Sequence, residues 1–71
     1  MDELEILGNN IRAERNRLHM TQEQLAVKAN LQTHHISNIE NGKYDIKFKT
    51  LISILKALNV PFDKIYNLDL N

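Results

Sequence analysis

Cysteine is absent from these 71 residues, proline occurs once and glycine twice. Without cysteine there is no disulfide framework and no thiolate metal site, the usual reinforcements of so small a chain. A chain of this length buries only about 60% of the surface its unfolded form exposes. Stability is therefore expected from an efficient helical core, from self-association, or from both. No apolar run approaches the roughly 20 residues of a membrane-spanning helix. The opening Met-Asp-Glu-Leu-Glu also lacks the basic start of a signal peptide. The expectation is one small domain over residues 1–71, working in the cytoplasm and away from membranes.

An excess of either charge is missing too: nine Lys and Arg balance nine Asp and Glu. Nucleic-acid binders usually carry a basic surplus, so neutrality counts against that class. The balance is uneven along the chain, however. Asp2, Glu3 and Glu5 give −3 before Asn9. From Asn9 to Lys49, seven cations (Arg12, Arg15, Arg17, Lys28, Lys43, Lys47, Lys49) face four anions (Glu14, Glu23, Glu40, Asp45), giving +3. The remainder cancels. An acidic tip thus precedes a basic middle, a pattern that solvated helix faces would also produce.

Apolar residues recur at helical spacing, and β-branched runs bounded by turn residues are lacking, so the chain reads as all-α. A first helix is expected from Leu4 to Leu18, burying Leu7, Ile11 and Leu18. Thr21 with Gln24 three residues later is a capping box that starts a second helix at Gln22, with Leu25, Ala26 and Ala29 inward. Asn30, tolerant of the left-handed conformation, ends it. The third helix is predicted over Thr33 to Asn41 on Ile36 and Ile39, with Gly42 as its stop. The fourth runs from Lys47 to Leu58 on Phe48, Leu51, Ile52, Leu55 and Leu58, and Asn59 repeats the left-handed exit. A short fifth, Pro61 to Tyr66, returns Phe62 and Ile65 to the core.

Helices two and three, separated by about three residues, form a helix-turn-helix. The tight turn at Asn30 sets the third helix steeply, with Ile36 and Ile39 inward. Its outer face carries Thr33, His34, Ser37, Asn38 and Asn41, all hydrogen-bonding and none acidic. A protruding helix of this kind fits the major groove of B-DNA, about 12 Å wide.

On the segments "IRAERNRLHMTQEQLA" (11–26), "ISNIENGK" (36–43) and "LISILKALNV" (51–60), the chain resembles the Cro and phage-repressor type helix-turn-helix regulators, also called the xenobiotic-response-element family. The resemblance covers Leu7 to Leu68. It implies a compact five-helix, lambda-repressor-like domain that binds operator DNA as a two-fold dimer and regulates transcription. It further implies base contacts from Thr33, His34 and Asn38, with Ser37 beside them. Gln22 matches a position that clamps a phosphate at a helix N-terminus, and Asn41 and Lys43 match phosphate contacts beyond the recognition helix. Arg15 and Glu40 match an ion pair joining helices one and three. The chain departs from the family pattern in carrying Asn30 for glycine and Gln32 where a serine or threonine cap is usual. Thr33 then competes with Gln32 as the cap.

Charge and position add Arg12, Arg17, Lys28 and Lys47 as further phosphate contacts. Phe62, Tyr66, Leu68 and Leu70 exceed what one short helix hides, and the resemblance places a dimer interface there. His34 and His35 diverge by about 100° on a helix, His19 is remote, and no metal or other cofactor is expected. No nucleophile, carboxylate pair or phosphate loop is present, and no cleft of several hundred Å³ is expected, so an enzyme is excluded. The predicted partners are double-stranded operator DNA and a second copy of the chain, with no small-molecule effector domain. The setting is bacterial or phage-encoded, at the nucleoid when bound. The alternative from another class is a protein-interaction module, of antitoxin or bridging type, that keeps the fold and uses its apolar C-terminal surface.

Overall fold

The computed structural model describes residues 2–65. Among them are five helices and no strand: α1 (Glu3–Arg17), α2 (Gln22–Ala29), α3 (Thr33–Glu40), α4 (Phe48–Leu58) and α5 (Phe62–Ile65). Two helices start on reciprocal caps. Thr21 Oγ1 accepts from the Gln24 N–H at 3.0 Å while Gln24 Oε1 accepts from the Thr21 N–H at 2.8 Å. Asp2 and Glu5 do the same for α1, which starts that helix one residue before Leu4. Such a cap contributes about 1 kcal/mol.

Four helix ends share another device. His19, Asn30, Gly42 and Asn59 each have positive φ, from 55° to 69°. The N–H that follows each reaches back to a carbonyl of the helix: Met20 to Arg15, Leu31 to Ala26, Lys43 to Asn38 and Val60 to Leu55. These six-to-one bonds are Schellman closures, which satisfy carbonyls that a helix end leaves open. His19 is the member without a glycine or asparagine side chain, although histidine too is enriched at positive φ.

Leu7 and Ile11 of α1, Leu25, Ala26 and Ala29 of α2, Ile36 and Ile39 of α3, and Leu51, Ile54, Leu55, Ala57 and Leu58 of α4 form one core with Ile65. α3 packs on both α1 and α2, α4 lies on α2, and α5 lies on α1. The Asn10 amide fixes the last contact by donating to the Ile65 carbonyl at 2.7 Å.

Several apolar assignments shift. Leu18 lies beyond α1 and is exposed, since the chain turns at His19 before the stripe completes. Phe48 is 69% exposed and Ile52 half-buried, whereas Ile54 and Ala57 are buried. α4 has a polar face of Lys49, Thr50, Ser53 and Lys56 and a broad apolar face, of which the neighbours cover the Ile54 and Ala57 edge rather than the Phe48 and Ile52 edge. Phe62 is 44% exposed and only Ile65 of α5 reaches the core. The helix bounds also move: α3 ends at Glu40 with Asn41 as cap, α4 begins after Lys47, and α5 covers Phe62–Ile65 rather than starting at Pro61. Tyr66, Leu68 and Leu70 lie outside the described residues.

Gly8, buried on α1, makes the α1–α3 crossing possible. A Cβ there would lie 2.6 Å from the Glu40 carbonyl oxygen and press on that of Ile39. Both obstacles are backbone and cannot rotate away. Gly8→Ala should therefore destabilise by about 1–3 kcal/mol in urea denaturation, although alanine alone would favour a helix by about 1 kcal/mol. His19→Gly should act oppositely, removing left-handed strain and raising stability by about 1 kcal/mol; a lower urea midpoint would refute this account of the α1 exit.

Candidate nucleic-acid interface

The orientation of α3 is set at its C-terminal end by one carboxylate. Glu40, the last residue of α3, is 1% exposed. A buried charge is costly unless paired and hydrogen-bonded, and here four donors from two other helices converge on it. Arg15 approaches as a fork, Nε to Oε2 at 2.7 Å and Nη2 to Oε1 at 3.0 Å. Gln22 Nε2 donates to Oε1 at 3.1 Å and Arg12 Nε to the same oxygen at 3.4 Å. Arg15 Nη1 also donates to the Met20 carbonyl at 2.8 Å, pinning the α1–α2 connection. Burial pushes the Glu40 carboxyl upward, but the Arg15 and Gln22 hydrogen bonds, the Arg15 charge and the Arg12 hydrogen bond outweigh it and hold its pKa below the ordinary 4.5.

Gly8, Arg12 and Arg15 recur at spacings of four and three, so they share one face of α1. α3 ends against this face: backbone on Gly8, carboxylate on the two guanidinium groups. Two cations beside a helix C-terminus also suit its dipole.

With that end fixed, Thr33, His34 and Asn41 are exposed, and Ser37 and Asn38 are half-buried beside them. Gln32 occupies the N-cap of α3 without a side-chain hydrogen bond, and Thr33 is the first helical residue, so the competition between the two for the cap ends with Gln32. Lys47 likewise precedes α4 without a side-chain cap. Uncapped first-turn N–H groups attract anions. His35 is half-buried, between the 30–32 turn on one side and Tyr44, Asp45, Lys47 and Thr50 on the other.

The expected phosphate contacts divide into two groups. Lys28, Lys43 and Lys47 are exposed and stand in no ion pair among the described residues. Arg12, Arg17 and Gln22 are engaged internally: Arg12 and Gln22 on Glu40, and Arg17 on Glu14 at 2.8 Å. The Gln22 amide thus points to the Glu40 carboxylate in this state. Sequence reasoning paired Glu40 with Arg15 alone; the spacing of Gly8, Arg12 and Arg15 was the signal for the larger cluster.

Grooves of several hundred Å³ exist, against the expectation that none would. One of about 600 Å³ runs between Leu18, His19 and Met20 and the outer side of α2. Its only carboxylate is Glu23. Among the described residues no group of three or more His, Cys, Asp or Glu could hold a metal ion, and no helix is long and apolar enough to cross a membrane.

A family model described as helix-turn-helix matches residues 11–65. The chain is 38% identical over 65 residues to Control protein C.SmaI of Serratia marcescens, covering 92% of this chain and 77% of that protein. It is 36% identical over 59 residues to the immunity repressor protein of Bacillus phage phi105, covering 83% of this chain and 41% of that one. The restriction-modification controller protein C.Esp1396I, crystallised as a tetramer with its natural 35 base-pair operator, is 33% identical. It superposes with a TM-score of 0.85 over 94% of this chain and 88% of its own.

The lowered pKa of Glu40 fixes the sign of an acid effect. Its stabilisation is complete above the unfolded value of 4.5 and is lost as pH falls through the lower folded value. Glu40→Gln should cost about 3–5 kcal/mol near neutrality, because it leaves the largely enclosed Arg15 guanidinium without its counter-charge. The variant should also show a flatter loss of stability in acid than the wild type. Parallel stability–pH curves from urea titrations would contradict this.

Proposed function

Because the chain belongs to the Cro/C1-type helix-turn-helix family, we propose that it is a sequence-specific double-stranded DNA-binding regulator of transcription, acting as a dimer on a pseudo-palindromic operator. The observation that carries this reading is the outer face of α3, polar and free of acidic residues from Thr33 to Asn41, on a helix oriented from behind by the Glu40 cluster. The operator-bound C.Esp1396I tetramer supports the same reading for a relative that shares the fold.

α3 enters the major groove of each half-site, and the two recognition helices of a dimer sit about 34 Å apart, one helical turn. Thr33, His34, Ser37 and Asn38 read bases. The Asn38 amide suits adenine, and the Thr33 methyl suits that of thymine. Lys28, Lys43, Lys47, Asn41 and the first turn of α2 at Gln22 hold phosphates and set register rather than sequence. The C-terminal apolar residues from Phe62 onward join the two copies. The protein forms one helix-turn-helix domain, works in the cytoplasm at the nucleoid, and acts by occupying DNA rather than by catalysis. Its relatives are control proteins and a repressor rather than enzymes.

Selection of binding sites from random duplexes, followed by affinity measurements against salt, tests this. An enriched palindrome and a clearly negative log–log slope are expected. A slope near zero with no enriched site would instead favour a protein-interaction module. Asn38→Ala should cost about 1–3 kcal/mol on the selected site and relax one base position, whereas Lys43→Ala should weaken all duplexes alike and reduce the slope by about one.

A further inference from the structure

Arg12 does more than share the Glu40 carboxylate. Its Nη2 donates to the Glu40 carbonyl at 3.2 Å and to Asn41 Oδ1 at 2.9 Å. A guanidinium group has donors only, so the Asn41 atom facing it must be the amide oxygen, and Nδ2 with both its hydrogens points away. Asn41 is exposed. Every backbone N–H across the turn is already used: Asn41 donates to Ser37, Gly42 to Ile39 and Lys43 to Asn38, each at 3.0 Å. At residues 41–43 an anion can therefore be gripped only by side chains. Of these, Lys43 supplies an undirected charge and the Asn41 amide a directed donor.

We propose that Arg12 is a positioning residue, which holds the Asn41 amide with its Nδ2 donors turned outward to a DNA phosphate, and is not itself a phosphate ligand. This deepens the operator-binding reading and rests on it. Arg12 is suited to the task because Glu40 anchors its Nε and the backbone of α3 anchors its Nη2, leaving the guanidinium plane little freedom.

The test compares wild type, Arg12→Met, Asn41→Ala and the double variant on the selected operator over a range of salt. The amide resonances of Asn41 are followed by NMR in the free proteins. Arg12→Met removes the donors and keeps an apolar stem, while Arg15 and Gln22 remain on Glu40. Arg12→Met should weaken binding about tenfold, the loss of a hydrogen bond to a charged group. The salt slope should stay at the wild-type value, and the two Asn41 Nδ2 proton signals should move together while the Ile36 and Ile39 methyl signals hold. The double variant should bind no worse than Asn41→Ala alone. A slope reduced by about one, with the two losses multiplying, would make Arg12 a direct phosphate ligand and overturn the proposal. Unchanged Asn41 amide signals in Arg12→Met would overturn it as well. A wild-type protein without salt-dependent DNA binding would defeat the operator reading instead, and the amide signals of the free protein would still report the Arg12–Asn41 link.

Discussion

A carboxylate without water must find its solvation inside the protein, and the Glu40 side chain, fully enclosed at the end of α3, finds it in three side chains from two other helices. Its placement is unfavourable twice over, since it is buried and it adds negative charge where the α3 carbonyls already concentrate it. Arg15, Arg12 and Gln22 offset both effects, and they do so only if α1, α2 and α3 keep one mutual arrangement. Apolar packing through Leu25, Ile36 and Ile39 would tolerate small rotations of α3; a bidentate fork at 2.7 and 3.0 Å tolerates few. Hydrophobic burial thus supplies most of the driving force, and the ionic cluster selects the angle.

The two ends of α3 are held differently. Its C-terminal end has Gly8 against the backbone, Arg12 on the last carbonyl and a Schellman closure at Gly42. Its N-terminal end follows the left-handed turn at Asn30 and carries no side-chain cap. The C-terminal end of α3 is therefore fixed by the fold, whereas its N-terminal end has room to adjust.

Much of this was legible beforehand, for physical reasons that differ by element. The caps at Thr21, Asn30, Gly42 and Asn59 were readable because each depends on the chemistry of one or two residues. At His19-Met20 the end of α1 was readable but not its left-handed form, which comes from the α1–α2 connection as a whole. The buried edge of α4 was unreadable for another reason. Its apolar face is wider than the contact it makes, so the neighbours decide which edge is covered: Ile54 and Ala57 went inside and Phe48 stayed out. In the site, the outer face of α3 followed from spacing alone. The engagement of Arg12 and Gln22 with Glu40 did not, because it depends on where three helices cross.

Charge balance takes on a different meaning once the chain is folded. The acidic first turn is not remote from the basic region: Glu5 packs against Gly42, between Asn41 and Lys43 in sequence. All three arginines are committed to carboxylates, Arg12 and Arg15 to Glu40 and Arg17 to Glu14. The cations outside ion pairs among the described residues are lysines, which attract phosphate without directing it. The outer face of α3 presents hydroxyl, amide and imidazole groups, whose hydrogen bonds depend on position more than on net charge. With few directed cations, non-specific attraction contributes little to DNA affinity, which then depends on geometry, on a recognition helix held at one angle.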